Sequence, residues 1–414
     1  MKKPACNSHA ATALLSLVVL SAFHGINHTF SIFLSPLNED IRTFFGADTI
    51  SAITSLKTTY LMVYAASNFF FGFLTNRVSS RKILAAGGIL NGIAIGSFIF
   101  VTPRSFPVMY VLWAAAGLGG GVYHPVANVL ITRLFPSRMG WAIGITGMGA
   151  STGFAFGPLF TGVLHGPVGM TWQQVSLLFG GLGVAMGISV FIILKDLPSL
   201  LEPRYGDRPP VKNNQRNAQS RSPADSIETD PDPSITATAA PLKLYRENRV
   251  VPMGFVFFLS YIIFASGLRE ITIWSVMDIS DFFLTRAHGA GNQTSYLLFL
   301  MYLVGIFAQP AAGTVSDRMG RHRLAAVALF VHGSAICLLA VVPGALLFLP
   351  FIFIGIGQAS SVPSIEAMVA DATDVKSRGL VFGFLVTIGM GMGATGPLFS
   401  GVIIDRLGGT IASY

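Results

Sequence analysis

The sequence predicts an all-α polytopic membrane protein that crosses the bilayer eleven times as two repeated helical bundles. Three observations predict it: an apolar composition, apolar blocks of spanning length, and a second half that echoes the first. Hydrophobic residues make up 52% of the 414-residue chain and charged residues 11%, against about a quarter charged in soluble domains. The apolar residues gather in blocks of about 20, enough to cross ~30 Å of hydrocarbon as helix.

The net charge of +8 does not point to nucleic acid. Lys and Arg sit in short loops between apolar blocks, and alternate loops hold most of them, the pattern that sets membrane orientation. The bilayer is therefore the expected surrounding. Cys6 and Cys337 supply neither a disulfide framework nor a cysteine metal site. The sequence offers no Walker loop between a strand and a helix, no His-Glu-x-x-His pair and no strand-borne nucleophile elbow, so no enzyme, cofactor or metal is expected.

Taken in order, the spans fall at 12–36, 51–75, 83–102, 108–132, 141–164 and 174–194. Lys2 and Lys3 before ATALLSLVVLSAF resemble a signal peptide, but the apolar run continues to about Leu34 and reads as an uncleaved first helix. A stretch rich in Pro, Ser, Asn and charge then separates the bundles, too poor in apolar side chains to offset its ordering. Spans resume at 251–277, 294–315, 324–343, 346–369 and 379–403. The domains read as a bundle over 1–198, a flexible linker over 199–248 and a second bundle over 249–414. The chain stops at DRLGGTIASY, where a twelfth span is due; a truncated sequence or a helix supplied by a partner accounts for it. Charge asymmetry places the N-terminus and linker in the cytoplasm and Glu39, Asp40 and Asp48 outside, as in a monomeric integral protein of the bacterial cytoplasmic membrane.

The halves repeat. GITGMGASTGFAFGPLFTG (144–162) matches GFLVTIGMGMGATGPLFSG (383–401), and HGINHTF in the first span aligns with SGLREIT in the seventh. Two such units related by an axis along the membrane normal enclose a mid-membrane cavity.

Three motifs carry a resemblance. GTVSDRMGRHR (313–323) has a blurred copy in GFLTNRVSSRK (72–82), and the spelling G-x-x-x-D-R-x-G-R resembles the signature loop of the major facilitator superfamily. The resemblance implies that fold, with its last helix missing here. It implies close helix approach at Gly313, and a cytoplasmic charge network through Asp317 and Arg318 that holds the halves together. Gly72, Arg77, Arg81, Gly320 and Arg321 belong to the same gate loops, while Asn76 stands where the pattern has aspartate. Gly144, Gly153, Gly157, Pro158 and Gly162, echoed by Gly383, Gly396 and Pro397, resemble the glycine-proline motif of drug/proton antiporters in that superfamily. GLGGGVYHPVANVL in the fourth span looks like fosmidomycin-resistance-type exporters. The resemblance implies secondary active transport, with proton-coupled efflux of a small solute ahead of an uptake symporter or a non-transporting sensor.

Ionisable residues within a span cost roughly 2.5–3.5 kcal/mol at the bilayer centre, so each is a functional hypothesis. His24, Asn27 and His28 share one face of the first span. Arg269 and Glu270 take the repeat positions of Asn27 and His28. Neighbours on a helix point about 100° apart, so Arg269 is expected to reach another helix or an anionic solute, and Glu270 to carry the proton. His24, His28 and His124 titrate ordinarily near pH 6.5, convenient for proton transfer. Tyr123, Asn128 and Glu366 complete the expected lining, and Trp274, Phe257 and Phe258 read equally as an apolar wall of the pocket or as lipid-facing aromatics. Lys57 is expected to snorkel to the outer surface.

Overall fold

A computed structural model describes residues 5–74, 77–135, 139–194, 253–373 and 375–408. Residues 1–195 and 260–414 form one compact unit, in which all contacts discussed below lie; 196–259 form another. The expected linker, 199–248, lies outside the described residues. All regular structure among the described residues is helical.

The first half contains α1 (Ala5–Ile32), α2 (Asn38–Phe45), α3 (Ile50–Leu74), α4 (Ser80–Gly96), α5 (Phe106–Gly120), α6 (Tyr123–Leu134), α7 (Met139–His165) and α8 (Trp172–Ile193). The second contains α9 (Met253–His288), α10 (Thr294–Met319), α11 (Arg321–Leu339), α12 (Phe348–Ala372), α13 (Val375–Gly393) and α14 (Gly396–Arg406). Each predicted span corresponds to one or two of these helices. Nine segments among the described residues are long and apolar enough to cross a bilayer. The remaining two predicted spans, α3 and α7, have 25 and 27 residues.

Local chemistry sets several boundaries. Thr171 and Gln174 close a reciprocal capping box at the start of α8, satisfying two otherwise orphaned N–H groups. Gly46 ends α2 at φ +61, a left-handed conformation that glycine adopts without a Cβ penalty. The fourth span, expected as one helix, is broken between Gly120 and Tyr123. Glycine is a weak helix former and Pro125 lacks an N–H to donate back to Gly121, so GLGGGVYHP divides there and starts α6 at Tyr123-His124. The eleventh span likewise breaks between Gly393 and Gly396, ahead of Pro397, whereas α7 runs unbroken through Pro158.

Helix α1 packs on α7 inside the first half, and α4 on α8. Between halves, α7 packs on α10, and α3 packs on α13 and α14. The repeat is visible in the packing: Gly25 of α1 lies against Gly149 and Gly153 of α7, and Gly267 of α9 lies against Met392 of α13.

Candidate site between the two helical halves

On α1, one turn after another presents a polar side chain inward. His24 Nδ1 donates to the Thr146 carbonyl at 2.8 Å, and its Nε2 lies 3.0 Å from His28 Nε2. Asn27 donates to the Tyr64 hydroxyl at 3.1 Å and to the Gly120 carbonyl at 3.2 Å. Asn91 donates to Asn27 Oδ1 at 3.3 Å. The break before α6 brings in the next two groups. Tyr123 stacks on His24 with ring centres 4.1 Å apart and donates its hydroxyl to the Leu20 carbonyl at 2.9 Å. His124 meets His24 edge-on at 5.0 Å. Three imidazoles from α1 and α6 thus converge, with a ring nitrogen from each inside a 4.8 Å circle. Tyr123, His24, Asn27 and His28 are buried.

These side chains reach one another because α1 and α7 approach closely. A Cβ at Gly149, Gly153 or Gly157 would lie 2.2 Å from Ser21 O, 1.9 Å from Gly25 O and 3.1 Å from the Thr29 side chain. These three glycines, spaced every four residues on the fifth span, therefore seat the histidine helix, backbone against backbone at Gly149 and Gly153.

In the second half, Arg269 and Glu270 form an ion pair with each other, contrary to the expectation from their angular separation. The long, flexible arginine side chain curls back to the carboxylate of its neighbour. Glu270 also accepts from Trp274 Nε1 at 3.1 Å, one turn further along α9. Arg269 keeps Nε and Nη1 buried without a hydrogen-bond partner. Tyr302, His332 and Glu366 lie within electrostatic range of Arg269. Thr272 connects to His332 Nε2 at 3.0 Å.

Phe154 joins the two clusters, and sequence reasoning missed it. It sits on α7 between the close-packed Gly153 and Gly157, tilts against His28 at 4.3 Å and stacks on Tyr302 at 4.8 Å with planes 11° apart. Its edge also meets Trp274 at 6.1 Å. The signal was its place inside the glycine motif, where a large aromatic interrupts small residues. Asn128 and Glu366 are exposed, Phe257 is 70% exposed, and Phe258 is intermediate.

At the α2 end, the halves are tied by hydrogen bonds to acidic groups. Asn38 donates to the Asp278 carbonyl at 2.7 Å and to its carboxylate at 3.1 Å. The Glu39 N–H donates to Asp281 at 2.8 Å. The N–H groups of Ile50 and Ser51 donate to Asp405 at 2.8 and 2.9 Å, placing a carboxylate at the positive end of α3. Arg286 pairs with Glu39 at 3.3 Å. Lys57 does not snorkel. It is 5% exposed, its ammonium donates to the Ser31 carbonyl, and it lies 5.3 Å over the Trp113 ring. With Asn38, Asp278 and Trp113 it lines a cavity of about 10 Å³, room for about one water. Asp278, one residue beyond the predicted end of its span, lines that cavity opposite Lys57 and keeps the ammonium inside.

At the opposite end lie the basic loops. Arg321 pairs with Asp371 and donates to the Ala367 carbonyl at 2.7 Å, fastening the start of α11 to the end of α12 within one half. Arg81 lies 4.3 Å over Phe191, while Arg77 and Arg318 are exposed. Asn76 and the side chain of Asp317 lie outside the described residues. Close approach does not explain Gly313, Gly144 or Gly383, because a Cβ at any of them would meet nothing within 4 Å. Gly72 has Pro125 at 3.9 Å, and Gly320 turns the chain at φ +90 between α10 and α11. A Cβ at Gly162 would lie 2.5 Å from the Ser295 side chain of the other half, and one at Gly396 would lie 2.4 Å from Ile271 O.

Two repeated helical bundles, tied together at one end and holding polar clusters that meet at an aromatic bridge, define a polytopic helical membrane protein. The comparisons agree. The model of the Major Facilitator Superfamily matches residues 13–282 and 271–414, and the chain belongs to that family. It is 24% identical over 181 residues to the oxalate:formate antiporter of Oxalobacter formigenes, covering 44% of this chain and 40% of that protein. It is 27% identical over 153 residues to multidrug resistance protein D of Escherichia coli (strain K12), covering 36% of this chain and 37% of that protein. The chain thus spans less than half the length of these two relatives. Among solved structures, a bacterial homologue of the human lysosomal transporter Spinster, inward-facing and unoccupied, matches with a TM-score of 0.70. That pair is 16% identical and covers 99% of this chain and 86% of the other, a likeness of fold.

Proposed function

We propose that the chain is a proton-coupled exporter of a small solute, working by alternating access about the site between its halves. The half-buried Arg269–Glu270 pair within the span carries this reading. Charges inside a span are retained at a cost, and this pair stands beside the aromatic bridge where the halves meet.

Glu270 is the proton carrier. Deprotonated, it is held by Arg269 and the Trp274 N–H; protonated, it releases the guanidinium. Arg269, with two donors already lacking partners, then takes an acceptor group of the solute. Phe154, Tyr302 and Trp274 form the wall that rearranges as the halves rock. His24, Asn27, His28, Tyr123 and His124 line the first-half side, and Asn128 and Glu366 extend the path toward the basic loops.

In this reading the bundles of 1–198 and 249–414 are joined by a cytoplasmic linker over 199–248, and the basic loops form the cytoplasmic gate of an inner-membrane protein. The latch at the α2 end then lies outside and is closed. The names of two similar proteins, an antiporter and a multidrug resistance protein, accord with exchange.

In everted vesicles energised with a proton gradient, the unsubstituted protein should accumulate a responsive solute from a panel of lipophilic cations and small organic anions. Glu270→Gln should insert and bind that solute yet lose gradient-driven accumulation. Undiminished accumulation in that variant removes Glu270 from coupling, and gradient-driven flux in the opposite sense makes the protein an uptake symporter.

A further inference from the structure

We propose that His24, His28 and His124 form a binding site for a single divalent transition metal of the zinc type, separate from the Arg269–Glu270 pair. The first observation is the facing of two nitrogens. His24 Nε2 and His28 Nε2 stand 3.0 Å apart, one turn apart on α1. Two imidazole ligands bonded to zinc at about 2.0–2.1 Å in a tetrahedron have their nitrogens about 3.3–3.4 Å apart. The spacing is therefore close to that of two ligands on a common ion.

The second observation fixes a tautomer. The Thr146 carbonyl can only accept, so the 2.8 Å contact makes His24 Nδ1 the protonated nitrogen. His24 Nε2 then presents a bare lone pair toward His28. A histidine that donates one ring N–H to a backbone carbonyl while offering the other nitrogen is the usual arrangement around a bound metal. Tyr123, stacked on the same ring and anchored to Leu20 O, holds its plane.

The third ligand comes from another helix. His124, half-buried at the start of α6, brings a ring nitrogen within 4.8 Å of the other two, and the proposal requires its ring to move closer when the ion binds. Imidazole suits zinc, copper, nickel and cobalt, whereas magnesium and calcium prefer oxygen ligands. No acidic side chain belongs to this cluster, so three neutral ligands leave the ion's charge uncompensated. A fourth position remains for water, hydroxide or an anion, as in open three-ligand sites.

The competing explanation is an imidazole–imidazole hydrogen bond with no ion. The test uses the full chain, purified on an affinity tag without histidine, and requires no transport. Zn²⁺ titration against a chromophoric chelator should give one site per chain, and Co²⁺ should give the intense visible bands of a tetrahedral complex. His28→Gln and His124→Gln should each weaken Zn²⁺ binding about tenfold or more, while His322→Ala, exposed in the first turn of α11, should leave it unchanged. X-ray absorption on the zinc-loaded, unsubstituted protein should show three imidazole nitrogens at about 2.0–2.1 Å. That measurement decides the matter even if the variants fold poorly. Absence of stoichiometric binding, sulfur in the coordination shell, fewer than three imidazoles, or affinity indifferent to His28→Gln and His124→Gln would each overturn the proposal.

Discussion

Gly153→Ala tests the packing that seats the histidine helix. A Cβ at position 153 would fall 1.9 Å from the Gly25 carbonyl oxygen and 2.7 Å from its carbon, where ordinary contact begins at 3.4 Å. Both groups are backbone, so no rotamer change relieves the clash, and α1 and α7 must part by roughly 1.5 Å. Overpacking typically costs about 1–3 kcal/mol, and this geometry belongs at the upper end. Replacing a mid-helix glycine by alanine returns up to about 1 kcal/mol of helix propensity, leaving a net loss of about 2 kcal/mol. Gly144→Ala on the same helix is the control, since its Cβ meets nothing within 4 Å. That variant should be neutral or up to about 1 kcal/mol more stable. Reversible unfolding in mixed detergent micelles, with both variants beside the unsubstituted protein, should separate them by about a hundredfold in unfolding constant. If Gly153→Ala unfolds no more readily than Gly144→Ala, close backbone approach is not what that glycine provides.

Other consequences are open to direct measurement. Asp278→Ala removes the carboxylate acceptor of Asn38 and the negative charge facing Lys57. It should weaken the α2-end closure by about 1.5–3 kcal/mol, read as faster labelling of a cysteine placed at Ile41; unchanged labelling would exclude Asp278 from the latch. Phe154→Ala deletes aromatic contacts with Tyr302 and Trp274 worth about 0.5–1.5 kcal/mol each. Vesicles bearing it should show solute leak without a gradient, and tight vesicles would show that the bridge does not block the path. Asp371→Asn breaks a pair whose aspartate side chain is 63% exposed, so thermal stability should change by less than about 1 kcal/mol. A large loss would mean that the Arg321–Asp371 contact is far less solvated than its exposure indicates.

The spans were legible because a bilayer demands long apolar helices, and that demand is written in consecutive residues. Arg269, Glu270 and the inward histidines were legible for a related reason: polar groups in apolar blocks stand out singly. Their pairing was not. Whether Arg269 turns to Glu270 or to another helix depends on side-chain torsions and on what else fills the space. Lys57 was misread because Asp278, which lines the same cavity, is far away in sequence and is brought beside it only by the α2-end closure. Of the three-histidine cluster only the i, i+4 pair His24 and His28 was legible, since His124 arrives from a different helix after a backbone break.

By itself, then, the sequence determined that this chain is a membrane-spanning helical repeat with charges kept inside it, because periodicity, charge placement and internal similarity are local or translational properties. Only the tertiary structure decided which glycines are contacts, which end is latched, and that Phe154 stands between the two polar clusters. These follow from the approach of helices distant in the chain, and close packing admits that approach at Gly153 while leaving Gly144 open.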